Sequence, residues 1–247
     1  GDATLITTPK GSQVLVDGGP NDKVLGLVNQ LIPPSDRKID LLLLTHPPAD
    51  HVTGLISILG SYRVLNIVFD PVNYESVTYT KFLRAVEDEK KQGARVINPK
   101  TGDKINVGDL SLTILWAPAP TIITGRNSGD PNNESIISVL SYGDFDVFLP
   151  GDAEKKEADA LVSSGMIITA VEVLKAAHHG SKNGLSESLE KLLSPALTVI
   201  PVGKSNSFGH PSLELLNLLN RLGSKVLRTD LNVTIEIISD GKICGVK

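Results

Sequence analysis

Leu41-Leu42-Leu43-Leu44-Thr45-His46-Pro47-Pro48-Ala49-Asp50-His51, followed by Val52-Thr53-Gly54-Leu55, decides how this chain is read. Four consecutive leucines between Asp40 and a proline-rich segment predict a strand buried on both faces, as in a parallel sheet. The loop leaving that strand carries two imidazoles and a carboxylate within six residues, a density of metal-ligand types seldom assembled for packing alone. Histidine is otherwise scarce. All five sit in such places: His46 with His51, His178 with His179, and His210.

Two further strand ends repeat the pattern. Asp152 follows the apolar run Val147–Leu149 across Pro150-Gly151, and His178-His179-Gly180-Ser181 follows Val171–Ala177. Three strand ends presenting His and Asp point to one site at a sheet edge. Imidazole nitrogen and carboxylate oxygen suit Zn or Mn, and no cysteine set competes.

Composition sets the limits. With 40% hydrophobic and 21% charged residues over 247 positions, the chain is an ordinary globular one with material for a full core. No window approaches the roughly 18 uninterrupted apolar residues of a membrane-spanning helix, so no transmembrane segment is expected. A net charge of −4 gives no global attraction to nucleic acid, so such a substrate would need a local basic patch. Lys175, Lys182, Lys204 and Arg228 are the candidates for one. The single cysteine, Cys244, forms no internal disulfide and reads as a strand residue. Gly1-Asp2-Ala3 carries neither an initiator Met nor a signal-peptide pattern, and the natural polypeptide is expected to extend upstream.

Thr4–Thr8 and Gln13–Asp17 form a hairpin pattern across Pro9-Lys10-Gly11-Ser12, and Lys23–Leu31 has helical spacing. Leu55–Leu59 reads as a short helix after the histidine loop, and Thr78–Gln92 as a long charged one. A loop rich in Pro, Gly, Asn and Thr spans Ala117–Glu134; loops of that length are usually functional or disordered. Strands and helices alternate beyond it, and a strand over Val233–Ser239 closes the pattern. An α/β, four-layer αββα sandwich satisfies this order, as a single domain over 1–247 with two pseudo-repeated halves, about 1–130 and 131–247. A doubly wound sheet is the competitor, but the opening hairpin and the lack of a G-x-G-x-x-G turn count against it.

The chain resembles the metallo-β-lactamase-fold hydrolases, and among them the extracellular domain of ComEC-type competence proteins and its stand-alone relatives. The matching segments are Gly1-Asp2-Ala3, Val16-Asp17-Gly18-Gly19, Thr45 through Gly54, Asn132-Asn133-Glu134-Ser135, Gly151-Asp152-Ala153-Glu154, Leu174 through Ser181, Asn206 through Pro211, and Arg228-Thr229-Asp230. The resemblance implies one firmly held Zn or Mn ion on Asp50, His51, Asp152 and one of His178 or His179. His46 is left for a second, weaker ion or for the substrate. Pro48 departs from the family's H-x-H-x-D-H loop, because it stands where a histidine belongs and has no ligating atom. A β-lactam substrate is therefore not expected.

Asp17 is expected to hold a ligand histidine from behind or to close the Gly18-Gly19 turn. Asp230 is expected either in a similar supporting place or in a surface ion pair with Arg228. Ser181, Asn206, Lys204 and His210 are candidates to meet charge developing in the reaction, with His210 as general acid or phosphate contact and Asp50 as a residue on which turnover depends. Ser205–Pro211 reads as a phosphate cradle ahead of a helix capped by Ser212.

The implied reaction is phosphodiester hydrolysis with DNA as substrate, in a competence-like role. Two alternatives stand beside it: hydrolysis of a small phosphodiester, lactone or thioester, and a metal-poor, non-catalytic module that binds DNA or a partner. The extracellular or periplasmic face follows from the competence resemblance, the cytoplasm from the alternatives.

Overall fold

The computed structural model describes residues 1–118, 130–166 and 169–247. The chain divides into two compact units. One comprises residues 1–100 and 106–109 with the described part of 117–134; the other comprises 101–105, 110–116 and the described part of 135–247.

In the first unit, β1 (Thr4–Thr7), β2 (Gln13–Val16), β3 (Lys38–Leu43), β4 (Arg63–Val68) and β5 (Arg95–Ile97) lie side by side in chain order. β1 and β2 make the antiparallel hairpin, and β2 through β5 run parallel. Parallel neighbours on both sides explain the leucine run. Leu41, Leu42, Leu43 and Leu44 are all buried, whereas Lys38 and Asp40, earlier on β3, are only partly so. Three helices cover the sheet: α1 (Lys23–Leu31), α2 (Ala49–Leu59) and α3 (Val77–Lys91). Val24 and Val28, Val52, Leu55 and Ile58, and Tyr79, Phe82 and Val86 bring their apolar stripes onto Leu15, Leu42 and Ile67.

Register places the strand ends together. Val16 pairs with Leu43 and Leu43 with Val68, so Asp17 and the Thr45-His46 segment leave neighbouring parallel strands at the same C-terminal edge. Ligand sites of parallel sheets form at such edges.

In the second unit the sheet order is β12-β11-β10-β9-β8-β7-β6, with β6 (Lys104–Val107) at the margin shared by both units in sequence. β7 (Leu110–Trp116), β8 (Ile137–Tyr142) and β9 (Phe145–Leu149) are antiparallel, whereas β9, β10 (Val173–Lys175), β11 (Leu197–Ile200) and β12 (Lys225–Arg228) run parallel. α4 (Lys155–Ser163) and α5 (Glu187–Leu193) pack Ala158, Leu161, Leu189 and Leu193 on Phe148 and Leu174. Leu219 of α6 (Leu213–Arg221) packs on Ile200 and Val202. Ser186 and Ser212 cap α5 and α6 by accepting from Leu189 and Leu215 backbone N–H groups. A one-turn helix α7 (Thr229–Asn232) and the small hairpin β13 (Ile237–Ser239) and β14 (Cys244–Val246) end the chain.

Three expectations need correction. α2 begins at Ala49, so Asp50 and His51 sit on a helix rather than in a loop; the helix is not the short Leu55–Leu59 piece. The Val233–Ser239 strand shrinks to Ile237–Ser239, since Asn232 takes the helical turn α7 and bonds Arg228 N–H through its side chain. Of the Ala117–Glu134 loop, Pro131–Glu134 is a 3-10 turn, and 119–129 lie outside the described residues.

Candidate metal centre

At the edge of the first unit, one carboxylate organises two imidazoles. Asp17 Oδ1 accepts from Thr45 N–H (2.9 Å), and Oδ2 accepts from the Thr45 hydroxyl (2.8 Å). His51 Nδ1 lies 2.9 Å from the same Oδ2, and His46 Nδ1 lies 2.9 Å from Thr45 Oγ1. A carboxylate oxygen only accepts, so His51 carries its proton on Nδ1. The Thr45 hydroxyl has spent its proton on Asp17, so His46 also donates from Nδ1. Both rings are thereby set with the lone pair on Nε2, the tautomer a metal ligand needs. His46 and His51 are buried, with ring centroids 4.1 Å apart.

Backbone packing fixes this arrangement. Gly18 N–H donates to His51 O (2.7 Å) and Gly54 N–H to Gly19 O (3.2 Å), lashing the turn after β2 to the start of α2. A Cβ on Gly54 would overlap the Gly18 and Asn21 carbonyl oxygens, so only glycine permits the approach. Asp17 itself adopts φ 56°, a left-handed conformation Asp tolerates better than most residues. Pro48 has a structural place: its carbonyl accepts from His51 and Val52 N–H at 3.0 and 3.1 Å, opening α2. His51 Nε2 lies 3.8 Å from Asp50 Oδ2, and Asp2, Asp17 and His51 each bring a ligand-type atom within 4.8 Å of the others.

The second unit has a comparable edge. Asp152 follows Gly151 in a turn where Ser135 Oγ accepts from its N–H at 3.1 Å. Lys175, only 6% exposed, donates to Gly151 O (2.8 Å) and lies 3.5 Å from Asp152 Oδ1. His179 Nδ1 donates to Pro201 O (3.1 Å), so in the neutral ring the lone pair is on Nε2, 3.4 Å from Asp152 Oδ2. A lone pair and a carboxylate oxygen facing each other repel unless a cation or proton lies between them, so the donor set fits a divalent ion. His178 differs: its Nδ1 is 3.3 Å from Glu154 Oε1, and its ring packs 5.8 Å from His210. His178, His179 and Gly180 all have positive φ (47°, 54° and 83°), the backbone turn that sends the two imidazoles apart.

Other expected residues have more modest positions. Asn206 accepts from His210 N–H (3.0 Å) and donates to His210 O (2.9 Å), so its amide clamps the loop. Ser181 is buried and its Oγ accepts from Asn183 N–H. Asp230 gives both oxygens to Arg228, at 3.0 and 2.6 Å, and this pair holds its carboxyl below the usual range. Among the described residues, none of its side-chain hydrogen bonds reaches a histidine. Lys175 is a buried counter-charge and not part of an exposed patch; Lys182 and Lys204 are exposed. Burial, reinforced by nearby His178 and His179, lowers the His210 pKa against the opposing charge of Asp152. Sequence reasoning assigned no role to Asp2 or to Thr45; the Gly1-Asp2-Ala3 segment was the available signal for the first.

The sequence profile of the Metallo-beta-lactamase superfamily matches residues 1–204. This chain belongs to the metallo-β-lactamase superfamily. Its α/β fold is the metallo-β-lactamase fold, and its curated relatives are competence-type proteins. Bacillus subtilis (strain 168) ComE operon protein 3 is 31% identical over 200 residues, covering 81% of this chain and 24% of that protein. Haemophilus influenzae Recombination protein 2 is 25% identical over 239 residues, covering 95% of this chain and 27% of that protein. The chain thus spans about a quarter of the length of these relatives. Among solved structures, the metallo-β-lactamase-fold protein YhfI from Bacillus subtilis superposes with a TM-score of 0.58 at 14% identity, covering 92% of this chain and 87% of its own.

Proposed function

We propose that this superfamily member is a metal-dependent phosphodiesterase acting on DNA, using Zn or Mn, with Asp50 and His51 as the candidate ligands of the first unit and Asp152 and His179 as those of the second. The observation that carries the proposal is the pairing of an imidazole Nε2 lone pair with a carboxylate oxygen, 3.4 Å apart for His179 and Asp152, with the far ring nitrogen tied to a carbonyl. His51 repeats it beside Asp50. His46, in the same tautomer, is assigned to a second, weaker ion or to the substrate. A bound divalent ion supplies Lewis acidity and lowers the pKa of a water toward about 7.

The chain's own residues do the rest. Asp17 and Thr45 keep the His46 and His51 rings from rotating or changing tautomer. Lys175 balances Asp152 Oδ1 and leaves Oδ2 toward His179. His210, held neutral by burial, has a ring nitrogen able to donate to a phosphoryl oxygen. DNA as the substrate is supported by the names of the competence and recombination relatives and by exposed Lys182 and Lys204. An extracytoplasmic site of action belongs to the same proposal.

Pro48 supports a second reading, a metal-poor module that binds DNA without cleaving it, because it supplies no ligating atom where the superfamily loop carries one. Hydrolysis of single- and double-stranded DNA with Mn or Zn, by the native chain and by Asp50→Ala and Asp152→Asn, separates the readings. Cleavage lost in both variants supports the enzyme. Metal retention without DNA cleavage points to a small phosphodiester, lactone or thioester. Failure to retain metal leaves the binding module.

A further inference from the structure

The most exposed large apolar side chain of the chain's described residues is Phe208, at 81%, and it stands two residues from His210. Its ring stacks on the His210 imidazole, with centroids 5.9 Å apart and planes 16° from parallel. His210 in turn packs edge-on against His178 at 5.8 Å and 62°. The three rings form a short ladder from the histidine pair out to solvent.

The loop that carries Phe208 is built to hold it there. Asn206 bonds both the N–H and the carbonyl of His210, closing a ring of hydrogen bonds around Ser207, Phe208 and Gly209. Asn206 N–H donates to Gly203 O (3.1 Å), and Gly209 turns through φ 72°, where a side chain would be strained. Ser212 N–H donates to Gly180 O (2.9 Å), anchoring the far end of the loop on the turn that carries His178 and His179. Single exposed apolar residues are common on protein surfaces and carry no meaning alone. This one is an aromatic ring with one face on an imidazole and the other open, on a clamped loop, next to the histidines. Lys204 adds an exposed cation four residues earlier.

We propose that Phe208 is a nucleobase-stacking platform: the open face of its ring receives one base of a single-stranded DNA substrate, while His210 and His178 flank the attached phosphate. The inference rests on the phosphodiesterase reading and names the form of nucleic acid the site takes. Stacking tolerates any base, because each has a π face, so the subsite selects unpaired strands rather than a sequence. A base inside a duplex is already stacked on its neighbours and is a poorer partner.

The test measures binding without turnover. Fluorescence anisotropy, in the presence of chelator, follows a short labelled oligothymidylate and an abasic strand of equal length binding to the native chain, Phe208→Ala and Phe208→Trp. Phe208→Ala is expected to weaken oligothymidylate roughly 5- to 150-fold. Abasic binding is expected to stay within about twofold, and Phe208→Trp to restore the base-dependent part. Equal weakening of both strands, or of neither, overturns the platform, as does a native chain that binds no single strand. Hydrolysis is scored separately with added Mn. Base-dependent binding without cleavage retains the platform and removes the hydrolase, whereas cleavage with base-independent binding does the reverse.

Discussion

Replacing Asp17 by Asn changes one oxygen to an NH2 group and tests how the imidazoles of the first unit are set. Asn keeps the size of Asp and tolerates the φ of 56°. Its Oδ1 can still accept from Thr45 N–H, as Asp17 does at 2.9 Å. The NH2 group then takes the place of the oxygen that accepts from the Thr45 hydroxyl and His51 Nδ1 at 2.8 and 2.9 Å. Because NH2 donates, His51 Nδ1 must become an acceptor and its proton must move to Nε2. The Thr45 hydroxyl, now accepting from Asn, turns its proton toward His46 Nδ1 and shifts that ring the same way.

The number of hydrogen bonds is conserved, so folding stability is expected to change by no more than about 1.5 kcal/mol. Ligation through Nε2 is lost or requires a tautomer change, so affinity for Zn or Mn is expected to fall about 10–100-fold through His51 alone. A competition titration against a chromophoric chelator, paired with a thermal melt, separates the two quantities. Metal affinity within twofold of the native chain, with or without a lower Tm, would refute the tautomer argument and leave Asp17 as a turn-closing residue.

Further expectations concern both units. His179→Ala should lower metal affinity far more than His178→Ala, because only His179 has its distal nitrogen tied to a carbonyl; equal losses in a titration would contradict this. Gly54→Ala should destabilise the first unit by a few kcal/mol, roughly the cost of overpacking, since its methyl overlaps the Gly18 carbonyl; a chemical denaturation curve reads it, and an unchanged midpoint would sink the argument. Burial holds the Glu190 carboxyl up at about 8 against an ordinary 4.5, with Glu187 adding to the effect. Its proton is bound in the folded state and lost in the unfolded one between those values, so stability is full below pH 4.5 and falls until about pH 8. The slope is about 1.4 kcal/mol per pH unit, at most roughly 3.5 kcal/mol by pH 7. Glu190→Gln should therefore flatten the stability–pH curve across that window; parallel curves would show that the carboxyl ionises there in the native fold.

The buried strand β3, the hairpin and α1 were legible because each follows from a local signal: a continuous apolar run, a Pro-Lys-Gly-Ser turn between two short β-type runs, and helical spacing of Val24, Leu27, Val28 and Leu31. The start of α2 was not, since Pro47-Pro48 made the segment after the leucine run read as a loop. Proline is well tolerated where a helix begins, and the Pro48 carbonyl opens this one. Metal-ligand candidates were visible as residue types at strand ends. What each one does was not, because it depends on partners far away in sequence. Thr45 lies next to His46 in the chain, yet its role comes from Asp17, 28 residues earlier. Lys175 looked like part of a surface patch beside two histidines, and its burial depends on the Gly151 carbonyl. Asn206 was legible as a candidate to meet developing charge, but its two bonds to the His210 backbone were not.

The buried ammonium of Lys175 also bears on how the protein is made. Structural zinc modules remain unfolded until their ion arrives, because nothing else offsets their clustered ligands. Here an internal cation lies 3.5 Å from Asp152 Oδ1, so the carboxylate is charge-balanced as soon as the strands pair. Maturation can then proceed in two separate stages, chain first and metal afterwards.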